Sequence, residues 1–169
     1  MAFDIQSYPT DKRACYDLIL AQAAALMDGI THPIANMANM AALLWQGMRD
    51  INWCGFYLMD HGALLLGPFC GLPACIRIPL GRGVCGSAAG QDAVQRVHDV
   101  HAFPGHIACD GASNSEIVIP IHRDGRVIGV LDIDSPTIGR FDETDQKMLL
   151  RLVHLIETRC DFSNAMYLV

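Results

Sequence analysis

One pair of neighbouring segments predicts that this chain forms an antiparallel β-sheet. Residues Ser115–His122 and Arg126–Asp134 are rich in Ile and Val, which favour extended strands. They are joined through Arg123-Asp124-Gly125, and an Asp-Gly pair favours the tight turn of a hairpin. The two segments therefore predict a β-hairpin whose strands lie side by side.

Three helices are predicted around this hairpin. Apolar residues recur at helical spacing in residues 11–28 and again in residues 34–48. The second helix follows Thr31-His32-Pro33, which is typical of a cap with an early proline. A closing helix is predicted over Phe141–Asp161, with Asp142 as its N-cap.

The middle of the chain predicts further short elements. Strands are indicated at Asn52–Met59, Ala63–Leu66 and Ala74–Leu80, and a short helix at Gly83–Gly90. The stretch Gly81–Asn114 is otherwise a long irregular segment, and loops of this length are usually functional or disordered. The order predicts an α+β fold, a central antiparallel sheet with helices packed on one face.

Composition narrows the class of protein. The 169 residues predict one domain with a substantial core, since 51% are hydrophobic. The net charge of −6 argues against a nucleic-acid-binding protein. No apolar run approaches the roughly 20 residues of a membrane span, and the N-terminal segment lacks the pattern of a signal peptide. A cytoplasmic location is therefore expected, without nucleic acid or membrane as a partner.

The seven cysteines of the chain indicate thiol chemistry. Seven is an odd number, and cytoplasmic cysteines are more often buried, metal-binding or catalytic than crosslinked. Cys75, Cys85 and Cys109 lie in Gly- and Pro-rich surroundings. One thiol can attack an electrophilic sulfur, and a second can resolve the product as a disulfide. The other reading is that of inert, half-buried thiols, which is the interpretation for Cys15, Cys54 and Cys160.

Three carboxylates accompany these thiols. Asp132 and Asp134 are two residues apart on a predicted strand, so they point to the same face, and Glu116 begins the preceding strand. Such carboxylates can hold a substrate ammonium group or supply a proton. Alternatively, Glu116 is an exposed strand end, and the aspartates cap the turn at Ser135-Pro136.

Four segments together resemble the free methionine-(R)-sulfoxide reductases, which are GAF-domain enzymes. They are Asn52–Tyr57, Gly83–Gly86, His98–Asp110 and Ser115–Pro120. The resemblance covers nearly the whole chain. It implies that residues 1–169 form a single GAF-like domain, in which the N- and C-terminal helices pack on one face of the sheet and a long irregular insertion covers the ligand pocket.

The resemblance also implies an oxidoreductase that repairs oxidative damage to free methionine. Its substrate would be free L-methionine-(R)-sulfoxide and its reductant thioredoxin or a similar dithiol, with no metal and no organic cofactor. A homodimer is a possible assembly.

Individual residues of this chain match functional residues of the family by their position in these segments. Cys109 matches the attacking cysteine, Cys75 the main resolving cysteine and Cys85 an auxiliary one. The carboxylates that match those engaging the substrate are Glu116, Asp132 and Asp134, and the aromatic residues that match the pocket lining are Trp53 and Tyr57. Cys70 departs from the family pattern, which usually has glutamine there, and it places an extra thiol near Cys75 in the sequence.

Two other functions remain open at this point. A GAF module can sense a small molecule without turnover, although a sensor needs no set of three thiols. The residues His98, His101, His106 and Cys109 could instead ligate zinc, although their spacing matches no common zinc pattern.

Overall fold

The computed structural model describes residues 7–106 and 110–163. The elements of this part of the chain, in order, are α1 (Lys12–Leu26), α2 (Pro33–Gly47), β1 (Trp53–Asp60), β2 (Ala63–Gly71), β3 (Arg77–Pro79), α3 (Gly83–Gln91), β4 (Gln95–Val97), a 3₁₀ turn (Val100–Ala102), β5 (Ser115–Arg123), β6 (Arg126–Ser135) and α4 (Glu143–Arg159). None of the helices described is long and apolar enough to cross a membrane.

The six strands form one antiparallel sheet in the order β3-β2-β1-β6-β5-β4. The hairpin predicted at its centre is confirmed. Arg123 pairs with Arg126, which leaves Asp124 and Gly125 as the two loop residues, at φ values of 50° and 71°. Positive φ at both positions is the geometry that matches the twist of the flanking strands.

The sheet has a different hydrophobic cluster on each face. Helices α1, α2 and α4 cover one face and form the larger cluster, which we call the helical face. Helix α3 covers the other face with a smaller cluster. The predicted α+β fold, with the N- and C-terminal helices on one face, is confirmed. Side chains of β1 alternate between the faces, with Phe56 on the helical face and Trp53 and Tyr57 on the α3 face.

A buried carboxylate ties the first helix to the last. Asp142 caps α4, as predicted, and the Asp145 side chain accepts a hydrogen bond from the Asp142 backbone N–H, which completes a capping box. Asp145 is fully buried and also lies 2.7 Å from Lys12 Nζ, 3.1 Å from Arg140 Nη1 and 2.8 Å from Tyr16 Oη. This network satisfies a charge that would otherwise be costly to bury.

Two sequence predictions need correction in the middle of the chain. Strand β2 continues to Gly71, five residues beyond its predicted end at Leu66. Pro68 is tolerated there because β3 pairs only with residues 63–65, so the second half of β2 is an edge strand. The short helix predicted at Gly83–Gly90 is confirmed as α3, but the rest of the segment Gly81–Asn114 is not irregular throughout, since it also contains β4 and the 3₁₀ turn.

Candidate functional site

A partly open cavity lies on the α3 face of the sheet. Its walls enclose about 520 Å³, counting the space at its mouth. Strands β1, β5 and β6 form its floor, α3 forms one side, and the segment after β2 completes the rim together with His106, Asp110 and Ser113. The residues predicted as a substrate site from the sequence all line it: Trp53, Tyr57, Glu116, Asp132 and Asp134.

The three carboxyl groups converge because of the strand register. Glu116 on β5 is the direct cross-strand neighbour of Asp134 on β6, and Asp132 lies two residues along on the same face. Glu116 and Asp132 are only 6% and 5% exposed. Asp132 Oδ1 is buried and has no hydrogen-bond partner among the described residues. A buried acceptor without a donor is unfavourable, so this wall of the cavity is suited to a cationic or proton-bearing ligand.

All three carboxyl groups have raised pKa values. Burial raises the pKa of Glu116 well above its usual range, and the neighbouring charges of Asp132 and Asp134 raise it further. Burial raises the pKa of Asp132 to about 6. Burial also raises the pKa of Asp134, with added repulsion from Asp132 and Asp110. The site therefore holds protons at pH values where isolated carboxylates would be ionised.

Cys85 is a neutral thiol at the centre of this group. It is the third residue of α3, it is buried, and its Sγ donates a hydrogen bond to Glu116 Oε1 at 3.8 Å. Burial raises its pKa well above the usual thiol value, and the charges of Asp132 and Glu116 add to the shift. Since the thiolate is the nucleophilic form, Cys85 is a weak nucleophile in this environment.

An aromatic wall stands beside the carboxyl groups. The ring of Trp53 stacks on that of Tyr57 at 5.8 Å and on that of Phe69 at 5.3 Å. The indole Nε1 of Trp53 donates to the carbonyl of Leu72 at 3.1 Å, which fixes the ring. Flat aromatic surfaces form favourable contacts with sulfur-containing groups, so this wall fits a thioether or sulfoxide side chain.

The N-terminus of α3 brings positive charge to the same cavity. Arg82 is its N-cap, makes no side-chain capping bond, and lines the cavity with Gly83 and Val84. The first backbone N–H groups of a helix have no partner within the helix, and they carry partial positive charge. The helix packs closely on β3, since a Cβ at Gly86 would lie 2.3 Å from the Pro79 carbonyl oxygen. Arg82 and the α3 N-terminus together can bind an anion such as a carboxylate.

Three lining residues near the rim were not assigned to the substrate site from the sequence, where His106 was considered only as a zinc ligand. His106 Nε2 lies 4.0 Å from Glu116 Oε2, and burial, followed by the charge of His101, lowers the pKa of His106. Asp110 and Ser113 also line the cavity, and Asn52 Nδ2 donates to both, at 2.8 and 3.0 Å. The unusual composition around His106 and Asp110 was the one sequence feature that indicated a functional segment. No local pattern there distinguishes the residues that line the cavity from their neighbours.

Known proteins with similar sequences and structures identify the family. The GAF domain family matches residues 36–158. Free methionine-R-sulfoxide reductase from Escherichia coli is 56% identical over 79% of this chain and 81% of its own length. The namesake from Saccharomyces cerevisiae is 41% identical, over 90% of this chain and 89% of its own length. The structure of free methionine-R-sulfoxide reductase from Neisseria meningitidis in complex with its substrate superposes with a TM-score of 0.89, at 44% identity, and covers 94% of this chain and 95% of that one.

The chain belongs to the free methionine-R-sulfoxide reductase family. The resemblance inferred from the four sequence segments is confirmed, and so are the GAF fold and the predicted enzyme class, an oxidoreductase.

Within this family fold, the thiols divide between the two faces of the sheet. Cys75 lies between β2 and β3, packs against the smaller cluster and is disulfide-bonded. Cys85 is free. Cys109 lies outside the described residues. Cys70 is a free thiol that packs against the helical face. The sequence proximity of Cys70 and Cys75 is therefore misleading, because the sheet separates them.

The alternative zinc site is not supported by the residues that can be described. His101 Nε2 bonds Asn114 Oδ1 at 2.9 Å, whereas His98 lies against Gly139. In residues 7–106 and 110–163, the potential metal ligands that do lie close together are Cys85, Glu116 and Asp132, with ligand atoms within 4.8 Å of one another. These are the cavity residues already described, and Cys109 of the alternative set lies outside the described residues.

The raised pKa values of the carboxyl groups predict that the folded protein loses stability as pH rises. A carboxyl group whose pKa is higher in the folded state binds more protons than in the unfolded state, so its contribution is complete below about pH 4 and is lost as pH rises through its folded pKa. For Asp132, with a folded pKa of about 6 against 3.8, the loss is at most about 3 kcal/mol. Urea unfolding at pH 5 and pH 7.5 measures this decline.

Asp132→Asn should reduce the decline, because asparagine mimics the protonated group. Asp28→Asn, at an exposed position, is the matched control and should leave the decline unchanged. Burial acts to lower the pKa of His122, but hydrogen bonds to Asp92 and Glu157 raise it overall, so His122 contributes a decline of the same sign in both variants. A pH dependence identical in Asp132→Asn and in the parent protein would contradict the assignment.

Proposed function

We propose that this protein reduces free L-methionine-(R)-sulfoxide to L-methionine, with Cys109 as nucleophile, Cys75 as resolving cysteine and thioredoxin or a similar dithiol as reductant. The observation that carries the proposal is the convergence of Glu116, Asp132 and Asp134 in one cavity beside a stacked aromatic wall. We propose that residues 1–169 act as one cytoplasmic GAF domain.

The charges of the cavity suit both ends of a free amino acid. The ammonium group would lie between Asp132 and Asp134, where it supplies the buried Asp132 Oδ1 with a donor. The carboxylate would meet the N–H groups at the start of α3, with Arg82 beside them. The sulfoxide side chain would then extend along Trp53 and Tyr57, which line the same cavity.

Glu116 is the proposed acid. A sulfoxide sulfur is a poor electrophile until its oxygen is protonated or strongly hydrogen-bonded, and a carboxyl group kept neutral by burial can donate that proton. The raised pKa of Glu116 keeps it in the donor form. As Cys109 sulfur bonds to the substrate sulfur, Glu116 transfers its proton to the oxygen. The substrate S–O bond and the bond between the two sulfurs then break as the hydroxyl group transfers to the Cys109 sulfur, which releases methionine and leaves Cys109 as a sulfenic acid. Glu116 regains the proton that the Cys109 thiol gives up.

Resolution is assigned to Cys75. The Cys75 thiol attacks the sulfenic acid, which forms a disulfide and releases water. Two observations favour Cys75 over Cys85 in this role: Cys75 is disulfide-bonded, whereas Cys85 is free and is held neutral by buried carboxyl groups. We propose Cys109 as the partner of Cys75. Cys85 remains the auxiliary thiol, and an external dithiol reduces the Cys75–Cys109 disulfide.

The test of this function is turnover of the two sulfoxide epimers. The purified protein, supplied with thioredoxin, thioredoxin reductase and NADPH, should consume NADPH with L-methionine-(R)-sulfoxide and at least tenfold more slowly with the S epimer. A cavity that fixes the ammonium, carboxylate and oxygen leaves one face of sulfur open to the nucleophile. Equal rates with both epimers contradict the assigned geometry. Binding of the R epimer without turnover would instead favour the sensor function.

A second prediction concerns the free ammonium group. The N-acetyl derivative of the R-sulfoxide should have a kcat/KM at least tenfold lower than the free amino acid, because acetylation removes the cation that Asp132 and Asp134 are proposed to bind. Asp134→Asn should bring the two kcat/KM values closer together, because it should lower kcat/KM for the free amino acid more than for the acetylated one. Asp28→Asn serves as the exposed control. Similar kcat/KM values for both substrates would show that the ammonium group is not recognised.

A further inference from the structure

Two free thiols face each other across neighbouring strands on the side of the sheet away from the cavity. Cys54 on β1 pairs with Cys70 on β2, between the pairs Trp53–Gly71 and Gly55–Phe69. Both are free, and both belong to the helical face, where Cys54 is fully buried and Cys70 is half-buried. The mechanism proposed above uses neither.

The register places these two thiols within reach of a covalent bond. Directly opposed residues of an antiparallel pair have Cα atoms about 4.5 or 5.5 Å apart, and their side chains share one face. Disulfides span Cα separations of about 4.4–6.8 Å. Burial raises the pKa of Cys54, and repulsion from the neighbouring Cys70 adds to this shift.

We propose that Cys54 and Cys70 are a second redox-active dithiol, which a small-molecule disulfide converts into an intramolecular cross-strand disulfide. The inference does not depend on the proposed function, since it concerns the opposite face of the sheet.

The order of attack follows from exposure. Cys70 is the accessible partner, so its sulfur attacks the small disulfide, forms a mixed disulfide and releases one small thiol. The Cys54 sulfur then attacks Cys70 and releases the second small thiol. The protein loses two electrons and two protons, and the small disulfide gains them as two thiols. Burial raises the pKa of Cys70, so the first step is slow, whereas the second joins neighbours that the sheet already holds opposite each other.

The oxidised pair would fasten β1 to β2 directly behind the aromatic wall. Gly71, next to Cys70, is the cross-strand partner of Trp53, and the following carbonyl, of Leu72, accepts the Trp53 indole N–H. The disulfide would therefore hold the strand ends that support Trp53 while leaving the cavity side chains unmodified.

The experiment uses the full-length Cys75→Ser variant, so that the disulfide at Cys75 cannot interfere. The reduced protein is treated with bis(2-hydroxyethyl) disulfide, quenched in acid, alkylated, and digested with trypsin and endoproteinase Asp-N. These proteases separate Cys54, in fragment 50–59, from Cys70, in fragment 60–77. We expect the two fragments to be joined, two hydrogen atoms lighter than their sum, and to separate on reduction.

The matched control is Cys70→Ser in the same background, in which Cys54 should be recovered alkylated. The melting temperature should rise on oxidation of Cys75→Ser and not of the control, because a crosslink restricts the unfolded chain. Alkylated Cys54 and Cys70 after treatment, or a stable hydroxyethyl adduct on Cys70 with Cys54 alkylated, would overturn the proposal. A link from fragment 50–59 to any cysteine other than Cys70 would overturn it as well.

Discussion

Replacing Glu116 with glutamine is expected to lower kcat by about 10²–10⁴-fold, the range for loss of a general acid. Glutamine keeps the size of the side chain and can still donate a hydrogen bond, but it has no proton to transfer to the sulfoxide oxygen. The site supports this role because Glu116 is buried, its pKa is raised, and its neighbours are carboxyl groups that disfavour ionisation. Steady-state kinetics with the R epimer measure the effect, and KM should change less than kcat.

Glu157→Gln is the matched control for this variant. Glu157 accepts a hydrogen bond from the backbone N–H of His122, contacts the His122 ring, and is not among the residues that line the cavity. It should keep kcat within a fewfold of the parent protein. A Glu116→Gln enzyme with near-normal kcat would show that Glu116 is structural and would assign the proton donor elsewhere, with His106, whose Nε2 lies 4.0 Å from Glu116 Oε2, as the next candidate.

The second large effect is expected at the cysteines. Cys109→Ser should release no methionine at all, even in a single turnover without reductant, because serine cannot form the bond to sulfur and accept the oxygen. Cys75→Ser should release about one methionine per protein and then stall or slow, since the sulfenic acid forms but its main resolving partner is missing. Rapid mixing with the R epimer, followed by quantification of methionine, separates these two outcomes.

Cys160→Ser is the matched control, since Cys160 is a buried free thiol near α4. It should turn over normally. Peptide mapping of the parent protein after one turnover should find a Cys75–Cys109 disulfide. Activity in Cys109→Ser comparable to that of Cys160→Ser would rule out Cys109 as the nucleophile.

The elements that the sequence predicted well are those with local signals. Asp124-Gly125 specifies the β5–β6 turn by its own backbone preference, and Asp142 specifies the start of α4 by capping it. Strand β4 was not predicted, because its three residues are held by pairing with β5 rather than by any pattern of their own. The length of β2 was wrong for a similar reason, because Gly67-Pro68 resembles a break unless the edge position of the strand is known.

In the candidate site, too, the features with a local sequence signal could be predicted, whereas those that depend on tertiary structure could not. Asp132 and Asp134 could be placed on one face from their spacing alone, since alternate residues of a strand share a face. The side of the sheet on which Cys70 lies could not be predicted from the sequence, because it depends on β2 continuing in register past Pro68. His106 and Asp110 reach the cavity through a tertiary fold of the rim that leaves no periodic trace in the sequence. The proposed nucleophile, Cys109, was assigned by the family resemblance, and its role stays a prediction.

The protonated carboxyl cluster also affects how binding to this cavity would be measured. If a substrate ammonium displaces the proton held near Asp132, whose pKa of about 6 is already above its usual range, each binding event releases part of a proton to the buffer. The apparent heat in a titration calorimeter would then vary with the ionisation enthalpy of the buffer, and affinity would increase between pH 5 and pH 7. Calorimetry in two buffers at one pH would count the protons released and so report the ionisation state of the cavity without a single substitution.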